Sequence, residues 1–199
     1  MSQSNADRAK EYRSRLFPGF DSPLAGTDPE FVERMDSFAF GEVPYSDDLD
    51  DRTRMMAILA SLVGSQAVDM FKAMVKGAFN LGVTPVEVKE IVDLATPYGG
   101  MGRMLPFLYA ANELLEHRLV ELPLEGQATT TEETRLEAGA QKQVDIFGPQ
   151  MADFHQSGPE ETRHINRWLA ENCFGDYYTR TGLDDAQREM VTFCLLIAQ

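Results

Sequence analysis

Cysteine is scarce: the 199-residue chain has two, Cys173 and Cys194, standing 21 positions apart. That spacing is neither the CxxC of a thiol–disulfide centre nor the dense pattern of a disulfide-stapled domain, so both thiols read as small apolar core residues. Histidine is nearly as rare. His117, His155 and His164 form no HxxxH or HxxE pairing, and no metal site is expected. Positive charge is also short, with 18 Lys and Arg against 32 Asp and Glu, a formal charge of −14. Acids spread along the whole chain oppose nucleic acid or an anionic membrane surface as a partner. No segment approaches the roughly 20 apolar residues that span a bilayer, and MSQSNADRAKEYRSRLFPGF lacks the apolar run of a secretory signal, so a cytoplasmic location is expected. There is no GxGxxG. PYGGMG at 97–102 is too slight to stand for a phosphate loop, and no cofactor is expected.

What the chain does have is apolar residues at helical spacing almost throughout, at 43% hydrophobic content. Alternating β-branched runs are scarce, which predicts an all-α protein. A helix is expected near 5–16. A second starts with Asp28 as N-cap and Pro29 in the first turn and ends near Gly41. Asp50 or Asp51 opens DRTRMMAILASLVG, whose Met56, Leu59, Leu62 and Val63 form one apolar face ending at Gly64. The next helix, about 66–81, presents Val68, Phe71, Val75 and Phe79 and stops at Gly82, which accepts the left-handed conformation. In GVTPVEV, Thr84 caps the following helix, Pro85 suits its first position, and Glu87 three residues after Thr84 completes a capping box. That joint predicts a tight helical hairpin. MGRMLPFLYAANELLEHRL then forms a long amphipathic helix with Pro106 in its first turns or at a kink. The polar stretch 121–131 reads as a connector between a first unit, 1–120, and a second, 132–199.

Sliding the chain by 134 positions places FGEVPYSDDLDDRTRMMAILASL, from Phe40, on FGDYYTRTGLDDAQREMVTFCLL, from Phe174. Eight ungapped identities fall within 23 positions, and the shared FG and LDD lie outside the apolar helix face. A duplication is expected. The second copy is incomplete at its C-terminal end, since everything equivalent to 66–119 would follow Gln199. The helix carrying Val191, Phe193, Leu195, Leu196 and Ile197 is therefore expected to lack the hairpin that covers the first copy. Another subunit would cover that face, or the chain has been shortened.

LDDRTRMMAILASLVGS, KGAFNLGVTPVEVKEI and PYGGMGRMLPFLYAANE follow in an order that resembles the carboxymuconolactone decarboxylase family, in the superfamily of alkyl hydroperoxidase D. The likeness covers residues 49–115, with a partial second copy over about 165–199. It implies an all-helical alkyl hydroperoxidase D-like bundle that self-associates as a trimer or hexamer and acts on a small molecule. It also implies one of two chemistries. Thiol-using members work through a CxxC pair, absent here. Decarboxylase-type members carry a proton-donating His before the hairpin, and Met74 occupies that position here; the second copy's equivalent would fall near position 208.

The resemblance places the hairpin carboxylate at Glu87, the helix-break tyrosine at Tyr98 and the proton-relaying acid at Glu189; these are the catalytic candidates. For each there is a plain structural alternative: capping for Glu87, a satisfied core hydroxyl for Tyr98, an exposed helix charge for Glu189. A substrate carboxylate would need a cation, which Arg54, Arg103 or Arg188 could supply, with Asn80 as a further polar contact. Lys72 and Glu90 read as solvated helix charges. The leading expectation is a lyase or decarboxylase acting on a small carboxylated or lactone substrate. A peroxidase working through Cys173 or Cys194, and a non-catalytic oligomeric binding protein, are the alternatives.

Overall fold

The sequence folds into helices at nearly every place where its apolar spacing and caps direct one. A computed structural model describes residues 3–20 and 22–199, and among the described residues there is no strand. The helices are α1 (Asn5–Leu16), α2 (Pro29–Ala39), α3 (Asp51–Gly64), α4 (Val68–Asn80), α5 (Pro85–Leu94), α6 (Thr96–Gly99), α7 (Met101–His117), α8 (Arg135–Phe147), α9 (Arg163–Trp168) and α10 (Asp185–Ile197). A π-helical stretch, Leu169–Tyr178, continues α9.

The starts of α3, α5 and α10 follow their caps, whereas Asp28 precedes α2 without a side-chain hydrogen bond to its first turn. The Asp50 carboxylate accepts from the Thr53 N–H and the Asp184 carboxylate from the Gln187 N–H, satisfying donors that a first helical turn leaves without partners. Between α4 and α5, Gly82 takes a φ of +87°, Thr84 Oγ1 accepts from the Glu87 N–H at 3.2 Å, and Glu87 Oε2 accepts from the Thr84 N–H at 2.8 Å. The reciprocal capping box starts α5 where the sequence predicts, but α4 and α5 pack on α3 and α7 rather than closely on each other. Pro106 lies inside α7.

The two chain halves share one core. Met55, Met56, Leu59 and Val63 of α3 meet Phe71 and Val75 of α4, Val88 and Ile91 of α5, and Val191 and Leu195 of α10. Phe71 and Phe107 pack edge to face with centroids 5.2 Å apart. α10 is therefore not left uncovered as its sequence suggests. Its Val191 and Leu195 are buried with the residues of α3, whereas Phe193, Leu196 and Ile197 remain exposed. Gly64 makes the close crossing of α3 and α10 feasible, because a Cβ there would run into the Leu195 carbonyl.

Residues 149–178 contain structure that apolar spacing does not announce: two short 3-10 turns, α9 and the π-helical stretch. A π stretch widens the turn, so its buried residues Ala170, Cys173, Phe174 and Tyr178 depart from a strict 3.6-residue stripe.

Candidate active site

Where the π stretch meets α6 and α10, polar side chains converge in the core. The Tyr98 and Tyr178 hydroxyls are 3.0 Å apart, the Tyr178 hydroxyl is 2.8 Å from Thr192 Oγ1, and the Cys173 thiol donates to Tyr98 Oη at 3.6 Å. Glu189 completes the cluster. Its Oε1 is buried without a hydrogen-bond partner, and its charge bears on both Cys173 and Tyr178. Burial pushes the Tyr98 phenol far above its ordinary range, reinforced by Cys173 and Tyr178, and pushes Tyr178 up to about 12, so both stand as neutral phenols. The same burial raises the Cys173 thiol. A buried, protonated thiol is a poor nucleophile, and Cys194 is raised by burial as well.

The remaining sequence candidates are scattered. Glu87 caps α5 and ion-pairs with Arg52. Asn80 donates to the Leu16 carbonyl at 2.8 Å and accepts from Arg118, tying α4 to the end of α1. Arg54 is held by Asp47 at 2.8 Å and by the Leu49 carbonyl at 2.9 Å. Arg103 stands exposed in the first turn of α7. Arg188 follows a different path: its Nη2 donates to Glu90 Oε2 at 3.0 Å and to the Arg180 carbonyl at 2.6 Å. Tyr98 and Glu189 thus share a site, Arg188 precedes Glu189 in α10 but is turned to Glu90, and the others lie apart.

Glu90 corrects its reading as a solvated helix charge. It is 1% exposed, and Arg180 joins Arg188 on it, with Nε 2.8 Å from Glu90 Oε1. Buried carboxylates need such pairing, and two guanidiniums satisfy both oxygens. Gly182 lets the Arg180 loop lie this close, since a Cβ there would stand 2.5 Å from Glu90 Cγ. Lys72, by contrast, is a surface charge paired with Glu113 at 2.5 Å.

Beside this interlock, Lys89 and Asp93 sit one turn apart on α5 and line a cleft of about 430 Å³ with Asn112, the connector and Arg180. Burial lowers the Lys89 ammonium against the opposing charge of Asp93, and burial raises the Asp93 carboxyl against the pull of Arg180. Periodicity marks neither residue. Only the folded connector encloses them.

Residues 29–113 match the model of the Carboxymuconolactone decarboxylase family. That segment carries a domain of this family. No curated protein matches the chain. The carboxymuconolactone decarboxylase segment runs from α2 into α7 and supplies Tyr98 and the capping-box Glu87. Cys173, Tyr178 and Glu189 come from the chain beyond it. The polar cluster is therefore built from the matched segment and the chain beyond it, a pairing over 80 residues of chain between Tyr98 and Tyr178.

Proposed function

We propose that this carboxymuconolactone decarboxylase family member is a lyase of the decarboxylase type, acting on a small carboxylated or lactone substrate with the Tyr98, Tyr178 and Glu189 cluster as its proton-handling centre. The observation that carries this reading is the buried, unpartnered Glu189 Oε1 beside two neutral phenols. As the carbon–carboxylate bond breaks and carbon dioxide leaves, its electron pair passes to the α-carbon and the adjoining carbonyl. A phenol hydroxyl hydrogen-bonds to the developing enolate oxygen, and the α-carbon takes up a proton from water, relayed through the Glu189 carboxylate. Tyr98 and Tyr178 suit hydrogen-bond donation because they keep their protons. Self-association as a trimer or hexamer belongs to the same proposal, supported by the exposed Phe193, Leu196 and Ile197 of α10. So does duplication: Gly41 and Gly175, 134 positions apart, each sit where a Cβ would strike the first residue of a helix, Asn5 of α1 and Arg135 of α8.

The test is release of carbon dioxide from a panel of five-membered lactone acids. Glu189→Gln should lower kcat by about 100-fold or more, and Tyr98→Phe should lower it too, with both variants keeping the wild-type melting temperature. Full turnover in Glu189→Gln would sink the assignment. A second reading, a non-catalytic binding protein, is favoured by Met74, a buried thioether where the family resemblance implies a proton donor. Absence of turnover on the whole panel together with saturable binding would favour it. The peroxidase reading has less support, because both thiols are raised; rapid alkylation of Cys173 at pH 7 in the folded chain would revive it.

A further inference from the structure

The cleft beside α5 has features that the proton-handling cluster does not use. Lys89 Nζ donates to Asn112 Oδ1, so the hydrogen-bond partner of this half-buried ammonium is a neutral amide. Taking a cation out of water is unfavourable, the charge of Asp93 one turn along offsets burial only in part, and Lys89 lines the cleft. The acids nearby are differently placed. Glu90 is engaged by two guanidiniums, Asp93 lies 3.8 Å from Arg180 Nη2, and Glu125 is on the exposed connector. The Arg180 guanidinium, anchored on Glu90, forms a second cationic wall. Val86 of α5 and Leu122 and Leu124 of the connector supply the apolar remainder. The lining thus holds two cations among three acids, of which Glu90 is engaged by Arg180 and Arg188, and it is Lys89 whose direct hydrogen-bond partner is neutral.

We infer that this cleft binds a small monocarboxylate with a short branched apolar tail, its carboxylate on Lys89 and Asn112 and its tail on Val86, Leu122 and Leu124. A charge-assisted hydrogen bond supplies the counter-charge that Asn112 cannot. The cleft volume of about 430 Å³ lies within the range of small-molecule sites, which combine an apolar lining with a few placed polar groups. The inference is independent of the catalytic reading, since turnover tests Glu189 and the titration below tests Lys89.

The test is calorimetric titration of the full chain with 4-methylpentanoate, together with backbone amide shifts. Saturable binding is expected, with shifts concentrated in 86–93 and 122–127. Lys89→Met, which keeps the aliphatic stem and removes the charge, should weaken binding about tenfold, as loss of one charge-assisted bond implies. Leu124→Ala, on the exposed connector and harmless to the core, should weaken it through the tail. Lys72→Met, at an exposed pair elsewhere, should leave it unchanged. The neutral isostere 4-methylpentanamide should not compete. Equal binding of the amide, unchanged affinity in Lys89→Met, or shifts confined to other regions would each overturn the inference.

Discussion

The LDD helix starts of α3 and α10 carry the same arginine three residues beyond their second aspartate and use it in opposite ways. Arg54 closes locally, on Asp47 seven residues back and on the Leu49 carbonyl, and Asp47 is half exposed. Arg188 has Thr181 at the position corresponding to Asp47, so it lacks that local carboxylate. It turns to Glu90, 98 residues away, where both partners are 1% exposed. The same motif therefore gives a surface brace in one half and a buried tie between halves in the other. What decides is whether a short acidic side chain lies within reach along the chain.

Breaking each ion pair should separate the two cases most strongly. Glu90→Ala strands Arg188 and Arg180 without their carboxylate and should cost about 3–5 kcal/mol in urea unfolding. Asp47→Ala should cost clearly less, because its carboxylate is half solvated and Arg54 keeps the Leu49 carbonyl. Equal losses would erase the distinction. Next in size, Gly182→Ala places a Cβ 2.5 Å from Glu90 Cγ and 2.9 Å from Val86 Cγ1, and overpacking of this kind should cost about 1–3 kcal/mol. A double-mutant cycle with Glu90→Ala should show the two losses to be strongly non-additive, since the clash is with the side chain removed. Thr84→Ala, which takes one member from the capping box of α5, should cost about 1 kcal/mol.

The smallest effect concerns Asp93, whose carboxyl is raised by burial despite Arg180. The folded chain then holds this proton more tightly than the unfolded chain. The contribution of Asp93 is most favourable below the ordinary carboxylate range and declines as pH rises through the raised value. Asp93→Asn should accordingly raise the urea midpoint at pH 7, with a smaller gain at pH 4. A larger gain at pH 4 would mean that Arg180 outweighs burial.

Much of the fold is legible in the sequence. The capping box at Thr84 and Glu87, the Asp50 start of α3, and the glycine after α4 all act through atoms within a few residues of one another. Tyr98 and Glu189 could be singled out by resemblance, but that they share a site with Tyr178 and Thr192 could not be read, because the π stretch that delivers Tyr178 breaks the helical period. Glu90 and Lys89 were hidden for a related reason: on α5 they look like ordinary polar positions, and the groups that bury them arrive from Arg180 and from Leu122 and Leu124.

Composition, helical spacing and caps determined by themselves that this chain is all-α, since helix periodicity and capping are written within about one turn of chain, and the order of three short motifs pointed to the family whose model matches residues 29–113. Tertiary structure alone decided that Glu90 is buried between two arginines, that α10 lies on α3, and that Lys89 faces a cleft with an amide for a partner. Burial and charge depend on which distant segment packs against a residue, and nothing in the local spacing of α5 specifies the loop at Arg180 or the connector at Leu122.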